Sequence, residues 1–216
     1  MTIVEAGLGA TVVLAIIDWV AVARRDDHLG RRIKPAVLAP LIAAVLLSHP
    51  DASTRSLLLA VALGASLVGD ALLLPPERFT HGLVAFLVAH LAFLAVFVLG
   101  SLEAELAAAG VVAAAIVFLI VGRRILEGAA GAGLGRPVAA YLGAIFLMAI
   151  AATASGSPVA AAGAWLFVAS DAILGWDRFA TQPAATPRAA VVRRLAVIVP
   201  YHVAQLLLMA ALIRVV

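Results

Sequence analysis

The chain has 216 residues, of which 65% are hydrophobic and 12% charged, with a formal net charge of +3 and a mean hydropathy of +1.15. A soluble domain carries about a quarter charged residues, so the composition excludes a soluble enzyme or binding module and is that of an integral membrane protein. The sequence has no cysteine, which removes disulfides and thiolate chemistry from consideration.

A membrane span needs roughly 17–25 apolar residues, and eight candidate runs follow one another along the chain: 3–23, 35–48, 57–74, 82–99, 106–121, 138–155, 159–176 and 195–213. The second and fifth are short. The opening MTIVEAG has no basic segment, so the first run is expected to be a retained span and not a cleaved signal. Each run is expected to be helical, because an unpaired backbone amide is too costly in hydrocarbon.

The basic residues test this count. Arg24, Arg25, Arg31, Arg32 and Lys34 fall in the first gap, Arg78 in the third, Arg123, Arg124 and Arg136 in the fifth, and Arg178, Arg188, Arg193 and Arg194 in the seventh. Only Arg55 and Arg214 fall on the other side. Such one-sidedness is the signature of membrane orientation and not of a nucleic-acid surface. It predicts that the odd gaps are cytoplasmic and that both termini face outward, in a cell membrane of the bacterial inner-membrane kind.

The chain also repeats itself at an offset near 100 residues. VARR at 22–25 answers VGRR at 121–124, and LGRRIKP at 29–35 answers LGRP at 134–137. DALLLPPERF answers DAILGWDRF, and VAHL at 88–91 answers VAQL at 203–206. The expected fold is therefore an all-α integral membrane protein, a single domain of eight transmembrane helices in two parallel four-helix repeats, with halves at about 1–100 and 101–216. Internal repeats of this kind place sites between the halves.

Polar residues break the apolar runs at one level. Asp18, Asp70 and Asp171 each lie five or six residues from the basic end of their run, about 7–9 Å deep at 1.5 Å rise per residue. His90 in the fourth run, and Tyr201, His202 and Gln205 in the eighth, enter the same layer. Tyr201 and Gln205 are four apart and share a helix face. Pro200 beside them frees the carbonyl of Ala196. A charge at the bilayer centre costs roughly 2.5–3.5 kcal/mol on insertion scales, and small residues alone suffice for helix packing. Asp70 and Asp171 therefore point to chemistry. A plain structural role suits Asp18, beside the basic loop, and His202, which has no counterpart in the repeat. Two carboxyls in one low-dielectric site do not both ionise readily, so one is left as an acid and the other as a base, the arrangement acid–base hydrolysis requires.

The stretches SLVGDALLL (66–74), FTHGLVAFLVAH (79–90) and FVASDAIL (167–174), with Tyr201, Ala204-Gln205 and the pair Lys34-Pro35, together resemble the YhhN/TMEM86 family of membrane lysoplasmalogenases. The resemblance covers nearly the whole chain. The long loop TQPAATPRAA and the basic first half of the eighth run depart from it without touching the acid motifs. What it implies is hydrolysis of the vinyl ether bond of lysoplasmalogens to a fatty aldehyde and a glycerophospho-alcohol, with no cofactor and no metal. Asp70 and Asp171 would be the catalytic pair, their roles left open. His90, Tyr201 and Gln205 would orient water or the ether oxygen. Lys34, Arg78 and Arg178 would hold the phosphate. The partners implied are a lysophospholipid substrate and membrane lipids.

Three other readings use the same residues. A proton-coupled transporter also has parallel repeats and membrane acids. An intramembrane aspartyl protease likewise uses two membrane aspartates. A metal-dependent lipid hydrolase would need His81, His90 and His202 at one depth, and their spacing puts them at different ones.

Overall fold

The computed structural model describes residues 2–182, 184 and 186–213; Arg214, and Pro183 and Ala185 of the long loop, lie outside them. Among the described residues every regular element is helical. Helix α1 (Ile3–Arg24) starts in a reciprocal cap between Thr2 and Glu5 and stops at Arg25, which takes the left-handed conformation at φ 58°. Asp26 caps the short α2 (Asp27–Ile33) through the Leu29 amide. Lys34-Pro35 then forces a tight turn, Lys34–Ala36, before α3 (Ala39–Ser48). Ser53 caps α4 (Thr54–Leu72), and the Pro75-Pro76 pair ends it. After α5 (Phe79–Val98), α6 (Ala104–Val117) passes through a wide π turn at Phe118–Gly122 into α7 (Arg123–Gly131). Helices α8 (Gly135–Ala154), α9 (Pro158–Phe179) and α10 (Pro187–Leu212) complete the chain. Ser157 and Thr186 cap the last two, each followed by a proline at the first helical position, where its missing N–H costs nothing.

Seven helical stretches among the described residues are long and apolar enough to cross a membrane, with Pro76–Val98 and Ala104–Gly131 each counted as one. The chain is a multi-pass, all-α membrane protein. The second expected span is the exception in length: the ten residues of α3 rise about 15 Å. It nevertheless reaches the far end of the bundle, where the His49 ring lies 3.1 Å from the Ile213 carbonyl at the close of α10.

Helices α1, α3, α4, α5, α8, α9 and α10 pack in that order into a closed ring, with α10 returning to α1. Helix α6 stands outside the ring against α8 and is the least buried of the long stretches. Its Val111, Val112 and Ile116, with Leu119 and Ile120 of the π turn, are exposed, as a surface bathed in lipid allows. Within the ring Phe93, Phe167, Leu59, Leu63, Met148 and Met209 are fully buried.

Polar ties fasten helices inside the bundle. Pro200 cannot donate to the preceding turn of α10, and beside that gap the Ser170 hydroxyl of α9 donates to the Val197 carbonyl at 2.9 Å. Across the ring, the Gln205 amide of α10 donates to Ser66 Oγ of α4 at 3.0 Å. Ser66 in turn donates to the Ala62 carbonyl at 2.9 Å.

Two stability measurements check this packing. A Cβ added at Gly128 would fall on the Phe179 backbone carbonyl, whereas at Gly131 of the same helix it would meet nothing within 4 Å. Gly128→Ala is expected to lower unfolding stability in detergent by about 1–3 kcal/mol, the usual cost of overpacking, and Gly131→Ala to leave it unchanged or raise it. For the tie across the ring, a double-mutant cycle of Ser66→Ala and Gln205→Leu is expected to give a coupling of about 0.6 kcal/mol and no more than about 1.7, the range for polar pairs inside membranes.

Candidate active site

At the end of the bundle where α1, α4, α9 and α10 meet the basic loops lies a cavity of about 430 Å³. Asp70 and Asp171 both line it. Each sits near the C-terminal end of its helix, so α4 and α9 bring their acids to the same end of the bundle. Close packing of α4 on α5 fixes the first of these. A Cβ at Gly69 would meet the Phe86 ring at 2.6 Å, so only glycine lets the α4 backbone beside Asp70 come so near α5.

Each acid is held by a phenol. The Tyr201 hydroxyl of α10 donates to Asp70 Oδ2 at 2.7 Å, and the Tyr141 hydroxyl of α8 donates to Asp171 Oδ2. The sequence contains only two tyrosines, and both are used in this way. Asp70 is 2% exposed. Its Oδ1 lies 4.0 Å from Lys34 Nζ, which the Pro35 turn places over the cavity. Asp171 faces a different neighbour: His90 Nε2 lies 3.8 Å from its Oδ2. Behind the two acids an aromatic cluster forms the floor. Phe167 packs edge-on against Phe86, Tyr201 and His90, and His90 edge-on against Tyr141, with ring centroids 4.6–6.2 Å apart.

The remaining expected residues divide between the cavity and its surroundings. Lys34 and Tyr201 line it with the two acids. His90 lies behind the wall, fully buried, with neither ring nitrogen hydrogen-bonded among the described residues. Gln205 is one turn deeper on α10 and is spent on Ser66. Arg78 and Arg178 do not line the cavity; the Arg178 guanidinium covers the Phe79 ring at 4.9 Å. Arg31, Arg193 and Arg194 line the mouth instead. Arg194 pairs with Asp27 at 3.2 Å and Arg193 with Asp177, residues that line the same rim. Asp18 also lines the cavity, 1% exposed and with neither oxygen hydrogen-bonded among the described residues. His202 accepts at Nδ1 from Trp19 Nε1 at 3.0 Å, outside the cavity lining. Among the described residues no three His, Asp or Glu side chains gather as a metal site would require.

Tyr141 was not legible in advance. It sits alone in an apolar run, in the same half of the chain as Tyr201, and neither tyrosine has a counterpart in the first half. The one available signal was the count: a chain with two membrane acids and only two tyrosines.

Residues 31–212 match the YhhN family. Lysoplasmalogenase TMEM86B of mouse is 35% identical over 157 residues, which is 73% of this chain and 64% of the mouse protein. The human protein of that name is 34% identical over 157 residues, again 73% and 64%, and the pig protein is 37% identical over 147 residues, 68% and 59%. The match thus spans less than two thirds of these relatives' own length. No solved structure matches the chain. A family match that takes in both acid motifs, both phenols and Lys34 settles the relationship: the chain belongs to the YhhN family.

Proposed function

We propose that the protein hydrolyses the vinyl ether bond of lysoplasmalogens, releasing a fatty aldehyde and a glycerophospho-alcohol, with Asp70 and Asp171 as the acid–base pair. The observation that carries this reading is that both acids line one cavity, each holding the hydroxyl of one of the chain's two tyrosines. Two acids at membrane depth are expensive, and a shared cavity gives them a use. The relatives named as lysoplasmalogenases supply the reaction class.

The proton balance of that reaction closes on two carboxyls. One, as the acid, gives its proton to the β carbon of the vinyl ether, and the double-bond electrons form the new C–H bond. The resulting oxocarbenium ion is stabilised by the carboxylates around it. Water adds to the α carbon while the second carboxylate takes its proton. The hemiacetal then collapses. The second carboxyl returns a proton to the departing glyceryl oxygen, and the first takes the hemiacetal proton as the aldehyde forms. Both groups end as they began, with no proton drawn from elsewhere. Tyr141 and Tyr201 keep one oxygen of each carboxyl occupied and so fix which oxygen works. Lys34 and Arg31 offer positive charge at the mouth to a lysophospholipid phosphate, beside Arg193 and Arg194, which pair there with Asp177 and Asp27. The mouth would face the cytoplasm, following the charge asymmetry of the gaps.

Purified protein given lysoplasmalogen is expected to release fatty aldehyde, detected by mass, and to do so in the presence of chelator. Asp70→Asn and Asp171→Asn are each expected to lower the rate by about 10²–10⁴-fold, the usual worth of a positioned acid or base. Retention of full rate in both variants would end the proposal, and substrate accumulation in proteoliposomes without cleavage would favour a transporter. Tyr141→Phe and Tyr201→Phe remove one hydrogen bond each, and a fall of about tenfold, the equivalent of 1.4 kcal/mol, is expected in kcat for both.

A further inference from the structure

A second, smaller cavity lies beside the first. It is lined by apolar side chains of α5, α7, α8 and α9, among them Leu83, Ile125, Val138, Leu142 and Phe179. The two cavities share Leu73, Phe79, Phe86, Leu174 and Asp171. The acids therefore differ in position: Asp171 stands where polar and apolar cavities meet, and Asp70 borders the polar one alone. They differ also in company. Asp70 has the Lys34 ammonium 4.0 Å away, whereas the one ion-pair-range neighbour of Asp171 among the described residues is the His90 ring.

We infer that the apolar cavity seats the start of the alkenyl chain of a single-chain ether lipid, so that Asp171 is the proton donor to the β carbon and Asp70 the carboxylate that activates water. The inference rests on the vinyl ether reading above and deepens it. A vinyl ether has an alkyl chain on its β carbon and glycerol on its oxygen. With the chain in the apolar cavity and the phosphate at Lys34 and Arg31, the β carbon falls on the Asp171 side. The α carbon, where water must add, falls toward Asp70 and the polar cavity. Lys34 stabilises the negative charge a base requires, and Asp171, with Oδ2 occupied by Tyr141, keeps Oδ1 for the proton it gives. In the step itself the Asp171 O–H bond breaks, the Cα=Cβ electrons form the Cβ–H bond, and positive charge moves to the Cα–O unit. Water oxygen then bonds to Cα as its proton passes to Asp70. The apolar cavity is about 40 Å³ and partly open, room for about three water-sized groups. It thus takes the first few carbons, and the rest of the chain lies along the bundle in lipid.

Photolabelling and nucleophile rescue test this together. The probe is a non-cleavable 1-O-alkyl glycerophosphoethanolamine with a diazirine on the third or fourth alkyl carbon, added to the whole protein in lipid nanodiscs. Adducts are expected on Leu83, Val138 or Leu142. Adducts confined to the α1 and α10 side of the polar cavity, such as Val22 or Ile198, would overturn the orientation. This readout needs no turnover, so it stands even where aldehyde release fails and the functional reading falls. For the roles, azide is an anion that attacks an oxocarbenium ion without a base. It is expected to raise substrate consumption by Asp70→Ala at least tenfold and to leave Asp171→Ala unrescued. Rescue of Asp171→Ala alone, or of both variants equally, would overturn the assignment. Photolabelling of each variant at the wild-type positions establishes that it is folded, and where a variant is not, the wild-type adducts alone decide the orientation.

Discussion

A carboxyl group within a membrane bundle has to be provided for by the protein, because lipid offers it nothing. Everything distinctive about this fold follows from doing so twice in one place. Asp70 and Asp171 come from different helices and each needs a donor on a third or fourth helix. The bundle must therefore bring α4, α8, α9 and α10 to a common level, and the ring does this. The close approach at Gly69, the aromatic floor and the ties from Ser170 and Gln205 hold those helices in register around the acids.

The broad plan was legible because it rests on composition and on isolated polar residues in apolar runs. Hydropathy marks the helices, and Asp70 and Asp171 stand out because almost nothing else in their runs is polar. The details that escaped are those set by three-dimensional register. Arg193 and Arg194 lie on the rim because α10 begins well before its apolar part, carrying them over the cavity. Arg78 and Arg178 sit closer to the acids in sequence, yet the turn after α4 and the end of α9 carry them off it. The second expected span reads as short because α3 is short: Pro35 delays α3, and the same turn puts Lys34 beside Asp70.

Tyr141 shows why the repeat misleads as well as informs. In the sequence repeat His90 answers Gln205, and four residues earlier Phe86 answers Tyr201. The crossing contacts keep this pairing, since His90 of α5 faces Asp171 of α9 and Gln205 of α10 reaches Ser66 of α4. The phenols do not. Tyr201 serves Asp70, but its counterpart Phe86 has no hydroxyl to offer, and the duty passes to Tyr141 on α8. Outer helices diverge too: α1 is built into the ring against α10, whereas α6 stays outside it. The contact of Trp19 with His202 ties α1 to α10 in that ring.

Departure from symmetry is what would let two like acids take different roles. Acids in identical surroundings would share a proton without preference, and neither would be reliably charged. The cation breaks the tie. Lys34-Pro35 is answered in the second half by Arg136-Pro137, but Arg136 starts α8 and does not line the cavity, while Lys34 is turned over it. At about 4 Å, a charge pair near a protein surface interacts with roughly 4 kcal/mol at an effective dielectric of 20. That attraction acts on Asp70 and has no lysine or arginine counterpart at Asp171 among the described residues. The same turn that shortens the second span thus sets apart the two members of the pair, and the local backbone irregularity and the chemical asymmetry of the site have one cause.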